Sequence, residues 1–135
     1  MAWLHMFKRT FTVKYPYEVL KPADRYRGRL QLNMERCIGC GVCSFICPNR
    51  AITLTEEEGR NYPQLDLGRC CFCGLCVDYC PRAALRYTHE YELSAYSKDE
   101  LVYKPKRLAE PPKPFERKVV TPKALTSKLG PGHGA

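Results

Sequence analysis

Cys37-Ile38-Gly39-Cys40-Gly41-Val42-Cys43-Ser44-Phe45-Ile46-Cys47-Pro48 returns 33 residues later as Cys70-Cys71-Phe72-Cys73-Gly74-Leu75-Cys76-Val77-Asp78-Tyr79-Cys80-Pro81. Both stretches follow one pattern, Cys-x2-Cys-x2-Cys-x3-Cys-Pro, and together they hold eight of the chain's nine cysteines. This is the bacterial spacing for two [4Fe–4S] clusters, in which the fourth cysteine of each run ligates the other run's cluster. A cubane needs four thiolates at the corners of a small tetrahedron. Three cysteines at x2 spacing let one tight loop present three sulfurs, and a further step carries the fourth away. Gly41 and Gly74 sit between the second and third cysteines, where backbone must come close to the cluster. The proline after each run ends the approach. The motif therefore assigns Cys37, Cys40, Cys43 and Cys80 to one cluster, and Cys70, Cys73, Cys76 and Cys47 to the other. Nothing else in the sequence carries the crosswise exchange.

Two other readings of the cysteines stand beside this one. Structural zinc sites use Cys-x2-Cys pairs, but a third cysteine at the same step and a fourth before proline is not a zinc pattern. A disulfide framework suits a secreted chain, and no signal peptide opens this sequence. Cys71 takes the slot that Ile38 has in the first run, so it reads as a small buried hydrophobe. Its neighbour Cys70 leaves open which of the two is the ligand.

The 33-residue offset aligns more than the cysteines. Arg36 falls on Arg69, Gln31-Leu32 on Gln64-Leu65, and Ala51-Ile52 on Ala84-Leu85. Each half reads as strand, cluster loop, short helix, strand. Residues 30–34 and 64–67 alternate like short strands, and residues 51–55 and 85–88 carry β-formers after the loops. Residues 56–63 are polar and turn-rich, which predicts a surface hairpin or loop; Glu56, Glu57 and Glu58 read as a solvated face. The expected fold class is α+β, a bacterial two-cluster ferredoxin-like domain with a pseudo-twofold axis and extended arms. The expected boundaries are 1–29 for an N-terminal arm, 30–97 for the cluster domain and 98–135 for a basic, proline-rich tail.

The repeat covers about 60 of 135 residues, too few for a strong apolar core. Domains that small rely on metals as staples, so the chain without clusters is expected not to fold. The net charge of +8 is unevenly placed: +5 over residues 1–30, −2 over 31–97 and +5 over 98–135. Two ligated clusters bring roughly −4 more to the middle. An acidic cluster domain between basic arms points to acidic protein surfaces or lipid headgroups as partners. No nucleic-acid motif accompanies the basic arms. Reduced cysteines place the chain on the cytoplasmic side of a membrane. No stretch approaches the roughly 20 apolar residues of a spanning helix.

In the N-terminal arm Trp3, Leu4, Phe7 and Phe11 recur at helical spacing beside Lys8 and Arg9, a short basic amphipathic helix suited to a bilayer interface or a partner's groove. Tyr15-Pro16-Tyr17 and Lys21-Pro22 then favour an extended crossing. Further on, Ser97 reads as the N-cap of one helical turn with Glu100 at its third position. From Lys104 onward six prolines and many lysines predict an extended tail without a packed core.

Tyr26-Arg27-Gly28-Arg29 before the first motif, Cys73-Gly74-Leu75-Cys76 within the second, and Glu90-Tyr91-Glu92-Leu93 after it resemble the two-cluster ferredoxin-like subunit of respiratory complex I. The same subunit occurs in membrane-bound hydrogenases and their sulfur-reducing archaeal relatives. The resemblance covers roughly residues 24–103. It implies a subunit in the peripheral arm, close to the membrane arm, whose clusters are the penultimate steps of an electron wire. One neighbour feeds electrons in and another holds the terminal cluster beside a catalytic site. The short segment between the motifs and the small N-terminal extension point to the compact hydrogenase or sulfane reductase branch, with reduced soluble ferredoxin as donor. The equivalent subunit of a quinone-reducing complex I is the alternative, and a free, diffusing ferredoxin is a third reading.

No acid–base pair, nucleophile elbow or phosphate loop is present, so no residue is expected to be catalytic. His5, His89 and His133 are isolated. The levers on cluster potential are burial, hydrogen bonds to sulfur and nearby charge. Ile38, Val42, Ile46, Phe72, Leu75 and Val77 are the expected apolar wrap. Arg36 and Arg69 are candidates for raising the potential, with surface ion pairing as their other role.

Overall fold

The computed structural model describes Trp3, residues 12–114 and residues 117–120. The amphipathic pattern of Leu4, Phe7 and Phe11, together with His5, His133 and the tail beyond residue 120, lies outside the described residues. The chain divides into two compact units, one of residues Asp24–Lys113 and one formed by Met1–Ala23 with Pro114–Ala135.

In the larger unit, β2 (Leu30–Leu32) leads into the first cysteine run, α1 (Val42–Ile46) and β3 (Ile52–Glu57). The second half repeats this order with β4 (Arg60–Asp66), the second run, α2 (Leu75–Asp78) and β5 (Leu85–Tyr87). Each helix ends beside a Cys-Pro step, because proline disfavours helical backbone in the residue before it. The strand before one loop pairs with the strand after the other. β2 runs antiparallel to β5, with Leu30 opposite Tyr87 and Leu32 opposite Leu85. β3 runs antiparallel to β4, with Leu54 opposite Pro63 and Ile52 opposite Leu65. Moving each residue of the first pairing by 33 positions and exchanging the halves gives the second. The flanking bonds obey the same rule: the Asn33 amide donates to the Ala84 carbonyl at 2.7 Å, and the Asp66 amide to the Ala51 carbonyl at 2.8 Å.

Residues 56–63 form the hairpin that the sequence predicts, but strand fills most of it and the turn closes at Glu58 and Gly59. β3 and β4 pair as far as Glu57 opposite Arg60, so alternating side chains continue beyond the apolar core.

The compact unit begins before residue 30 and ends well after residue 97. A 3-10 turn over Asp99–Leu101 is followed by β6 (Val102–Tyr103), which joins β4, and α3 (Pro105–Ala109). Pro105 stands at the start of α3, where its missing amide costs nothing. It and Leu108 are buried. The proline and lysine content of this stretch predicted an extended tail. The physical reason for the difference is that two apolar residues three apart on one short helix suffice to dock it on β2 and β4. Leu30, Leu32, Ile52, Leu65, Leu85, Tyr103 and Leu108 share one buried cluster. The turn itself is capped one step differently from the expectation. The Ser97 hydroxyl accepts from the Asp99 amide at 3.3 Å, while the Glu100 carboxylate accepts from the Tyr96 amide, also at 3.3 Å.

Arg29, next to β2, ties these late residues to the start of that strand. Its side chain is 4% exposed and its Nε stands 2.6 Å from the Glu90 carboxylate. Its Nη2 donates to the Glu110 carbonyl at 2.9 Å. A buried arginine survives only when paired and hydrogen-bonded in this way.

The smaller unit contains β1 (Glu18–Leu20) paired in parallel with β7 (Lys118–Val120). The sequence reading expected an extended crossing near residues 15–22 and did not foresee a strand from the tail beside it. A three-residue ladder between segments about 100 positions apart leaves no periodic signal.

Candidate iron–sulfur sites

Two cavities form around the cysteine runs. One is lined by Cys37, Cys40, Cys43 and Cys80, with Leu32, Ile38, Val42, Leu54 and Leu85 among its apolar walls. The other is lined by Cys47, Cys70, Cys71, Cys73 and Cys76, with Leu30, Ile52, Leu65 and Phe72. Each draws three motif cysteines from one half and one from the other, and the second also has Cys71 in its wall. Strand exchange explains this: β5 beside β2 brings Cys80 to the first loop, and β3 beside β4 brings Cys47 to the second. Among the described residues no three His, Cys, Asp or Glu side chains converge on a single-ion site. The thiols surround volumes instead.

The backbone of the two loops matches as closely as the strands. Left-handed φ angles occur at Gly39 and Phe72, at Gly41 and Gly74, and at Arg50 and Ala83. Each pair is 33 residues apart. The turns at Arg50 and Ala83 aim the next amide back at the fourth cysteine: the Ala51 amide donates to the Cys47 Sγ at 3.2 Å, and the Ala84 amide to the Cys80 Sγ at 3.2 Å. Amide bonds to sulfur stabilise a negatively charged thiolate–iron centre. These two amides are functional groups that the sequence reading missed, although the match of Ala51 with Ala84 was visible in the repeat.

Without iron, burial drives the thiols toward their neutral form. It pushes Cys43 up to about 11 and Cys76 up to about 12, and the neighbouring cysteines add to the effect. Cys70 is raised too, first by burial. A set of thiols that resists ionisation alone is stabilised as thiolate by a bound cation. Four sulfurs, apolar walls and sulfur-directed amides form a donor set that fits an iron–sulfur cluster.

Several expectations need correction. Cys71 lines the second cavity but is exposed, so it is no buried hydrophobe. The slot that it shares with Ile38 faces outward in both halves, for Ile38 is 56% exposed. Ile46, Phe72 and Val77 pack on the core, and Leu75 is half-buried. Val42 is another exposed member of the expected wrap, so the first cavity's outer wall is thin. Arg36 is exposed, and Arg69 lies 3.6 Å from Asp66 as a surface pair. His89 is exposed and lines neither cavity. Two residues not singled out for the sites reach the second loop. Arg27 Nη1 donates to the Cys73 carbonyl at 2.6 Å, and the Tyr87 hydroxyl donates to the Phe72 carbonyl at 3.2 Å.

The family pattern of the 4Fe-4S dicluster domain matches residues 36–84. This chain carries a dicluster iron–sulfur domain. Its cofactors are two [4Fe–4S] clusters, and its mixed helix–strand architecture is ferredoxin-like. The chain is homologous to NAD(P)H-quinone oxidoreductase subunit I. It is 46% identical over 129 residues to that subunit from Synechocystis sp., covering 87% of this chain and 65% of the relative. It is 47% identical over 107 residues to the subunit from Microcystis aeruginosa, covering 73% of this chain and 56% of the relative. The chain thus spans between about half and two thirds of the length of these relatives. Among solved structures it resembles a chain of the membrane-bound sulfane sulfur reductase, an archaeal respiratory membrane complex. That match has 42% identity and a TM-score of 0.62, and it covers 74% of this chain and 56% of the other. No helix among the described residues is long and apolar enough to cross a membrane.

Proposed function

We propose that the dicluster domain relays single electrons inside a membrane-bound, ion-translocating oxidoreductase. The observation that carries this reading is the pair of crosswise thiol-lined cavities in a chain similar to NAD(P)H-quinone oxidoreductase subunit I and to a chain of an archaeal respiratory membrane complex. Cys37, Cys40, Cys43 and Cys80 hold one cluster, and Cys47, Cys70, Cys73 and Cys76 hold the other. When bound, the clusters supply one-electron transfer. The protein's residues supply position, dryness and charge. Strands β2 and β5 fix one quartet, and β3 and β4 the other. The apolar walls lower the local dielectric, and the Ala51 and Ala84 amides offset the charge on sulfur. The matching registers of the two strand pairs support a pseudo-twofold relation between the halves, so that neither cluster has a complete ligand set without both.

The partners in this reading are a subunit holding the terminal cluster, a membrane-arm subunit and a source of electrons. The chain sits peripherally on the cytoplasmic face, aided by its basic N-terminal arm. The arms 1–29 and 98–135 serve as attachments in this scheme, with the part of the latter up to Lys113 folded onto the cluster domain.

The compact hydrogenase or sulfane reductase branch is supported by the tight turn at Glu58 and Gly59 between the halves and by the likeness to the sulfane sulfur reductase chain. The quinone-type alternative is supported by the names of the curated relatives. Purification from solubilised membranes tests both levels. Recovery with a large partner that carries nickel ligands supports a hydrogenase, and recovery with a related partner lacking them favours a sulfur- or quinone-reducing complex. Recovery only as a small soluble monomer refutes the subunit reading.

A further inference from the structure

We propose that Arg27 and Tyr87 raise the reduction potential of the cluster held by Cys47, Cys70, Cys73 and Cys76, and leave its neighbour's potential unmoved. This rests on the ligand assignment above. The two cluster loops match in backbone but differ in what lies over them. A methyl group built at Gly41 would meet Leu54 Cδ1 at 3.3 Å. At the matching Gly74 it would meet the Tyr87 hydroxyl oxygen at 3.2 Å and the Arg27 guanidinium carbon at 3.7 Å. Leu54 and Tyr87 are themselves 33 residues apart, so the repeat puts a hydrocarbon over one loop and a phenol with a cation over the other.

The contacts are specific. Arg27 binds the Cys73 carbonyl and Tyr87 binds the Phe72 carbonyl. These are consecutive peptides of the loop that carries three of the ligands. A carbonyl oxygen near a cluster presents partial negative charge, which opposes the arrival of an electron. A guanidinium on one carbonyl and a hydroxyl on the next offset that field and favour the reduced form. Phe72 also holds a left-handed φ of 53° where the first half has Gly39, a conformation that costs a residue with a side chain some strain. The Tyr87 bond to its carbonyl helps to hold that peptide in place.

Arginines elsewhere lack this arrangement. Arg69 pairs with Asp66, Arg36 is exposed, and Arg82 stands in the wall of the first cavity. Arg27 is exposed as well, so solvent screens part of its charge. The expected effect is on the order of tenfold in the reduced-to-oxidised equilibrium constant, which for one electron is about 59 mV.

The test is a redox titration, followed by electron paramagnetic resonance, of the full chain loaded anaerobically with iron and sulfide. Wild type, Arg27→Gln, Arg27→Lys, Tyr87→Phe and Arg82→Gln are compared. Arg27→Gln is expected to lower one of the two midpoints about tenfold in equilibrium terms. Tyr87→Phe should lower the same midpoint by less, and Arg27→Lys should restore most of the loss because it keeps the charge. Loss of that same step in Cys73→Ser identifies the cluster, and Arg82→Gln should leave it in place. Arg27→Gln with full iron and both midpoints unchanged, or both moved equally, overturns the proposal. If Arg27→Gln fails to load, Tyr87→Phe removes only a hydroxyl and decides the matter, since unchanged midpoints there overturn the proposal. A wild-type chain holding far fewer than about eight irons defeats the ligand assignment instead.

Discussion

Gly39 and Gly59 offer a matched pair for measuring how closely the backbone packs at the first cluster loop. Their φ angles are 73° and 74°. Replacing either with alanine forces a side chain into left-handed backbone, at a shared cost of about 1–2 kcal/mol. Their surroundings differ. A methyl at Gly59 meets nothing within 4 Å, whereas at Gly39 it would stand 2.6 Å from the Asn61 carbonyl oxygen and 3.3 Å from the Asn61 Cβ. The obstacle at Gly39 is backbone in strand β4, which cannot rotate aside. Overpacking of this kind costs about 1–3 kcal/mol, and that is the expected excess of Gly39→Ala over Gly59→Ala. The loop that must yield carries Cys37, Cys40 and Cys43, so the strain falls on cluster retention. The assay is the anaerobic decay of cluster absorbance in mild denaturant, with iron counted after gel filtration. An excess near 1.4 kcal/mol makes Gly39→Ala lose cluster about tenfold faster than Gly59→Ala. Equal decay rates would show that the close approach of Asn61 is not a constraint, and the reasoning would fail.

Leu108→Ala should destabilise the cluster domain by about 2–5 kcal/mol, because its fully buried side chain anchors α3, while Lys106→Ala on the same helix should do little; thermal loss of cluster absorbance compares them. Cys71→Ser should keep about eight irons per chain, whereas Cys70→Ser should lose roughly half, as iron assay will show. The chain stripped of iron should lack a cooperative thermal transition, since its core is too small to stand alone; circular dichroism showing a native-like cooperative melt would refute this. Reconstitution should strengthen as pH rises from about 7 to about 9. Burial raises Cys43 to about 11 and Cys76 to about 12, so protons compete with iron at neutral pH and ligation must expel them. A flat pH profile of iron uptake would contradict that sign.

The sequence by itself determined the chemistry. Ligand spacing is a local property: three thiols within seven residues, a fourth before proline, and the whole repeated after 33 positions. The strands beside the loops were legible too, since short alternating runs flank both motifs. Tertiary structure decided what depends on distant approach. Which cysteines share a cavity follows from β2 meeting β5 and β3 meeting β4, strand pairings that the cysteine motif does not specify. That Pro105 and Leu108 close the core had no local signal, because composition argued for an open tail and only the groove over β2 and β4 gave two apolar side chains somewhere to go. The outward turn of Cys71 arose from a loop that wraps its ligands inward and leaves the intervening side chain to solvent. Arg27 and Tyr87 lie 46 and 14 residues from Cys73, and no sequence period links them to it. Spacing along the chain specifies what a loop can bind, whereas the groups that tune the bound cluster are chosen by which strands the fold sets beside that loop.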